Sequence, residues 1–377
     1  MNRQLEAALD RWLEARLLEP GQAEAIRRFE TEGEGAGRLR WPVILALALG
    51  VVLVGAGVLL FVAAHWNALA PGTRFGLVLA LGAGFHLLGG AAREGFPRLA
   101  TALHGVGTGV LGAGIYLAGQ IFNLEEHWPA GLLLWTLGAL AGWLILRDWV
   151  QGLLLALLAP AWLGSEWVEA MDAGVRAHHV SQRVLAAGLL GFAVTYLSAR
   201  RGPGDGLMRK ALAWAGGLGL LPLGILAAAL GSERLFYVAG PDPAPGLVWA
   251  GWLGALGIPL AAAWALRGRE AWLNGVAALW ILGLLRLANH AWFVYGWCAL
   301  GAVGLAAWGL REGRRERVNL GVAGFALTVL CFYFSDVMDM LGRSLGLMGL
   351  GIVFLAGGWG LERVRRRLNA RIGGGAA

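Results

Sequence analysis

An all-α, polytopic transmembrane helix bundle is the fold class this sequence predicts, and three observations predict it. The 377 residues are 58% hydrophobic and only 15% charged, with a mean hydropathy of +0.62, whereas soluble domains carry about 25% charged residues. Apolar runs long enough to cross a bilayer, for which about 20 residues are needed, recur along the chain between short polar breaks. The arginines gather in every second break, the asymmetry expected of alternating spans.

The chain divides into a hairpin and tether over residues 1–37, a bundle over 38–368 and a tail over 369–377. Leu5, Leu9, Trp12, Leu13 and Leu17 recur at helical spacing before Pro20-Gly21 breaks the pattern, and a second short helix holds Ile26 and Phe29. This predicts a short N-terminal cytoplasmic helical hairpin, followed by the flexible tether Glu32 to Gly37. From Trp41 about 12 spans follow. They run Trp41 to Ala64, Phe75 to Ala91, Leu99 to Asn123, Pro129 to Leu146, Val150 to Trp167, Val184 to Ser198, Ala211 to Leu230, Leu247 to Leu266, Ala271 to Leu287, Trp292 to Leu310, Val318 to Ser335 and Leu345 to Leu361.

The third of these carries no charge from Leu99 to Leu124, and Gly105, Gly107, Gly109, Gly112, Gly114 and Gly119 strip it of side chains. Small residues let helix backbones approach closely in lipid, so this span is expected to be the central packing element, buried among the others.

Breaks rich in arginine, among them Arg311 to Arg317, are expected in the cytoplasm, which places both termini there. The opposite side collects acids, including Glu125, Glu126, Glu166, Glu169, Asp336 and Asp339. A pI of about 10.2 does not argue for nucleic acid, because the basic residues lie in short loops rather than on one face or stripe. Membrane lipids are the expected partners, and the N-terminal hairpin offers a surface to a protein partner. Cys298 and Cys331 fall inside apolar runs and read as small buried hydrophobes. No secretory signal peptide is recognisable.

Gly107 to Gly112 spells G-x-G-x-x-G, but mid-span rather than between a strand and a helix, so it is not a dinucleotide site. No zinc-ligand spacing, phosphate-binding loop or nucleophile elbow is present, and no metal or cofactor is expected. His86 and His104 are the polar anomalies within spans, where an ionisable residue needs a partner. Near the outer ends the ligand-binding candidates are Asn67, Gln120, Glu125, Asp336, Asp339 and Arg343, with His104 and Gln120 as residues of a path. Setting residues 57–74 over 326–343 brings Asn67 opposite Asp336 and Arg74 opposite Arg343 without a gap, so both hairpins carry a polar residue and an arginine at one level. That alignment motivates one shared outer-face site.

The stretches GVLLFVAAHWNALAPGTRFGLVLAL, AGIYLAGQIFNL and FYFSDVMDMLGRSLGLMGLGIVFLAGGWGLERVRRRL resemble the bacterial polytopic membrane family known as domain of unknown function 2157. The resemblance implies an uncharacterised bacterial inner-membrane protein and transfers no catalytic residue. The leading functional reading is transport-type, binding or moving a small or lipid-linked solute through an outer-facing cavity. The alternatives are a membrane enzyme acting on a lipid head group, with Glu125, Asp336 or Asp339 as acid or base, and a membrane scaffold or sensor.

Overall fold

In the computed structural model, described residues are 69–121, 127–171, 179–202, 204–231, 242–287 and 291–334, most of 9–26, and a few isolated positions. The chain divides into units spanning residues 1–74 and 75–377. In the first, residues 11–14 and 20–26 are helical, and Leu9 and Ala23 are fully buried. The Pro20-Gly21 pair opens the second helical piece instead of lying in the break. Glu19 precedes it, and its backbone N–H donates to Gln22 Oε1 at 3.0 Å, a side chain reaching back over a helix start whose first position suits proline.

Ten helices follow among the described residues: α1 (Pro71–Ala92), α2 (Pro97–Ile121), α3 (Pro129–Leu146), α4 (Trp149–Ala170), α5 (His179–Ser198), α6 (Leu207–Gly231), α7 (Pro245–Arg267), α8 (Trp272–Leu287), α9 (Ala291–Arg311) and α10 (Arg315–Phe332). They coincide with the second to eleventh expected spans. The runs starting at Trp41 and Leu345 lie almost wholly outside the described residues. Among the described residues, eight helical stretches are long and apolar enough to cross a membrane. This is fewer than ten because Pro245–Leu285 counts as one 41-residue stretch, while Arg315, Glu316 and Arg317 load the start of α10 with charge. That stretch is broken in fact, since Gly268 adopts φ 61° and a 3-10 turn separates α7 from α8.

The turns explain how neighbouring helices double back. Arg147 caps α3 in the left-handed region, with φ 55°, and Asp148 caps α4 by accepting from the Gln151 N–H at 2.9 Å. At the end of α9, Gly313 has φ 65°. There Arg314 N–H donates to Gly309 O at 2.6 Å and Gly313 N–H to Leu310 O at 3.2 Å, which satisfies two carbonyls left over by the helix end.

The centre of the second unit is α5, not α2. Of the α5 span 61% is buried, against 28% for α2, because α6, α7, α8 and α4 all pack on α5. Ala187, Leu190, Val194 and Leu197 of α5 join Ile281 and Leu284 of α8 and Leu220 of α6 in the largest apolar core. The glycines of α2 are used as expected at some positions and not others. Gly107 faces the His86 ring and Gly112 the Trp135 ring, whereas a Cβ at Gly109 or Gly119 would meet no atom within 4 Å.

Candidate functional site

The most extensive polar construction among the described residues stands where α5, α7 and α9 end. The last carbonyls of a helix lack partners and form the negative end of its dipole, which favours cations there. Three arginines meet that need for α5. Arg267 donates to Ser198 O at 2.6 Å, Arg317 to Ser198 O at 3.3 Å and Arg200 O at 3.2 Å, and Arg209 to Ala199 O at 2.7 Å. Arg267 and Arg317 are buried, with side chains 2% and 0% exposed, so each requires a counter-charge. Glu312 supplies it to both, accepting from each guanidinium at 2.6 Å.

The Trp308 indole N–H also donates to Glu312, and the two guanidinium carbons lie 5.3 and 5.0 Å from the centroid of the Trp308 ring. Burial raises the Glu312 pKa, but the hydrogen bonds from Arg267, Trp308 and Arg317 outweigh it and hold the carboxyl down at about 2. Alongside, Asp205 accepts from the Arg201 and Gly202 N–H groups at 2.6 and 2.9 Å. Burial opposes its ionisation, and those bonds with the nearby Arg314 and Arg209 charges lower its pKa. The three turns at this end hold ten basic side chains, Arg200, Arg201, Arg209, Lys210, Arg267, Arg269, Arg311, Arg314, Arg315 and Arg317. Against them stand four acids, Asp205, Glu270, Glu312 and Glu316.

On the bundle side of this cluster an apolar cavity of about 810 Å³ opens among α5, α6, α8, α9 and α10, within the ~300–1,000 Å³ range of small-molecule sites. Leu190, Leu220, Trp280, Trp297, Trp308 and Leu327 are among its walls, and among the described residues no Asp, Glu, Lys, Arg or His side chain lines it. Along α9 it extends from Val294 to Trp308, about 21 Å at 1.5 Å per residue. The hydrocarbon core of a bilayer is ~30 Å thick. Trp280 and Trp297 fix the wall reciprocally, each indole N–H donating to the other's carbonyl at 2.8 Å, with Gly301 and Gly283 making room for the rings. Cys298 and Cys331 both line the cavity. They are half-buried and exposed, respectively, so the expectation of two buried thiols does not hold.

The residues singled out from sequence are distributed differently. His104 is buried and meets His86, the two Nδ1 atoms 3.1 Å apart, each ring seated over a glycine of the opposite helix, Gly89 or Gly107. The His104 carbonyl accepts from Thr108 Oγ1 and Gln151 Nε2, both at 3.1 Å. This ties α1, α2 and α4 into one polar seam. Gln120 is exposed and lies sixteen residues further along α2, about 24 Å away, so it shares no site with His104. Among the other polar residues at the expected outer ends, His127 Nε2 lies 2.6 Å from Glu166 Oε2, and the Trp128 indole donates to Glu169 at 2.6 Å. Asn67, Glu125, Asp336, Asp339 and Arg343 lie outside the described residues. The buried Arg267–Glu312–Arg317 cluster was not anticipated from sequence. Its one local trace is Trp308, Glu312 and Arg317 at spacings of four and five.

Residues 10–152 match the family described as "Predicted membrane protein (DUF2157)". The matched segment takes in the N-terminal helical pieces, α1 to α3 and the start of α4, including the His86–His104 pair. The basic end, the cavity and the similar-looking C-terminal stretch fall beyond it. No curated protein and no solved structure matches the chain. With its apolar helices, the chain is a multi-pass integral membrane protein in contact with lipid.

Proposed function

We propose that this protein is transport-type and that its cavity holds the apolar part of a lipid or lipid-linked amphiphile. The cavity's composition carries the reading. A slot about 21 Å long, walled by aliphatic and indole side chains, suits an acyl or isoprenoid chain, whereas a small polar solute would find few partners there. Among the described residues carboxylates do not converge in its wall, which favours this reading over an enzyme that acts on a head group inside it.

Two glycines provide the test. Gly224 and Gly304 line the cavity, and a Cβ at either meets no atom within 4 Å. Gly224→Leu and Gly304→Leu should therefore fill it without displacing a neighbour. Native mass spectrometry of the detergent-purified protein is expected to show lipid that survives activation in the parent and is lost in both variants, at unchanged or raised Tm. Equal lipid retention in all three proteins would refute the reading.

The basic end is proposed to face the cytoplasm of a bacterial inner membrane, with both termini on that side, on the strength of ten basic side chains against four acidic ones. In a variant lacking Cys298 and Cys331, a cysteine replacing Gly313 should resist an impermeant maleimide in intact cells and react after permeabilisation. Labelling from outside would reverse the orientation.

A further inference from the structure

Resting on the reading of the cavity as an amphiphile site, we infer that the amphiphile carries an anionic head group, held at the basic end against Arg311 and Trp272. The two ends of the cavity differ in chemistry. Towards Val294 and Cys331 its walls are uncharged. At the other end they finish at Leu273 and Trp308, and the Arg267 and Arg317 guanidinium groups lie against the Trp308 ring.

Behind Trp308 lie Arg267 and Arg317, two cations compensated by the single carboxylate of Glu312, so one positive charge remains beneath the indole. Arg311 stands one helical turn beyond Trp308, with its guanidinium carbon 5.2 Å from the centroid of the Trp272 ring. Trp272 immediately precedes the lining residue Leu273, and both Trp272 and Arg311 are exposed. Among the described residues no carboxylate pairs with Arg311. A guanidinium stacked on an indole keeps its N–H fork in the plane and available to a phosphate or carboxylate in two-point contact. The surplus of basic side chains on the three turns adds an attractive field over the same opening. An amphiphile entering tail first along α9 thus brings its head to an oriented arginine that no carboxylate among the described residues compensates. A neutral head there would leave that donor fork to water.

The test offers the protein, in a neutral detergent, an equimolar mixture of phosphatidylglycerol, phosphatidylcholine and diacylglycerol with identical acyl chains, and reads bound lipid by native mass spectrometry. Phosphatidylglycerol is expected to be preferred by about tenfold, the size of one charge-assisted contact. Arg311→Gln should reduce that preference about fivefold or more through loss of bound phosphatidylglycerol, with Tm unchanged, and Arg311→Lys should restore part of it. Equal binding of the three lipids by the parent protein would overturn the head-group inference and leave the cavity reading standing. Loss of all retained lipid would overturn both. Survival of the anionic preference in Gly304→Leu would place the lipid on the outer surface of the bundle and overturn the inference. Stabilisation by inorganic phosphate alone, equal to that by phosphatidylglycerol, would assign Arg311 to a free anion and overturn it as well.

Discussion

The helices α2 and α5 are both long and apolar, yet α5 is more than twice as buried. The difference lies in what each presents to its neighbours. Four of the six glycines of α2, Gly105, Gly107, Gly112 and Gly114, form notches that receive groups from elsewhere, such as the His86 and Trp135 rings. A helix stripped in this way brings little side-chain surface of its own to bury. α5 presents Leu190, Phe192, Val194, Tyr196 and Leu197, all at most 9% exposed, and its polar C-terminus is enclosed by arginines. Close backbone approach and centrality are therefore separate properties in this bundle, and only the second depends on being surrounded.

Substitutions can sharpen that contrast, beginning with the largest expected effect. Glu312→Ala leaves Arg267 and Arg317 buried without a counter-charge and should cost about 3–5 kcal/mol, measured by denaturant unfolding in detergent. Glu166→Ala, at the half-exposed His127 pair in the region of α3 and α4, should cost less than about 1 kcal/mol. Equal costs would show that the α5 end is not the better-insulated region.

Acid should act on the same cluster. The Glu312 carboxyl titrates at about 2 when folded, against an ordinary value of 4.5, so its stabilisation is complete above pH 4.5 and is lost as pH falls towards 2. Asp205, also lowered, works in the same direction. A Tm profile should fall steeply over that interval in the parent protein. In Glu312→Gln the fall should be shallower, and an identical slope would disprove the assignment.

Within α2, Gly112→Leu drives a side chain into the Trp135 ring and should destabilise by about 1–3 kcal/mol, while Gly109→Leu enters open space and should change Tm little. Equal losses would mean that α2 is enclosed on both faces. A smaller loss than at Gly112 is expected at the polar seam, where His86→Ala removes one interhelical hydrogen bond, worth about 0.6 kcal/mol and at most about 1.7 in membrane bundles.

Much of the helical architecture was legible beforehand because a backbone in lipid must satisfy its own hydrogen bonds, and an uninterrupted apolar run leaves the helix as the local solution. The expected Pro129 to Leu146 coincides with α3 at both ends, where a proline opens the helix and a polar dipeptide closes it. His86 and His104 were legible as a pair in need of partners. The arginines of the loops were readable as an orientation signal but not as a site, since, apart from the spacing of Trp308, Glu312 and Arg317, nothing local distinguishes the buried Arg267 and Arg317 from the exposed Arg269 and Arg315.

From its own residues, then, the sequence determined that this is a multi-pass helical membrane protein, which stretches are helices, and where many of them turn, because hydropathy, proline, glycine and caps act over a few neighbours. The tertiary structure decided that α5 is the centre, that three turns meet at Glu312, and that five helices leave an apolar cavity ending at Trp308. Arg317 and the carbonyl it caps at Ser198 are 119 residues apart. Which of many similar apolar helices lies beside which follows from their side chains packing together all at once, and no stretch of sequence carries that alone.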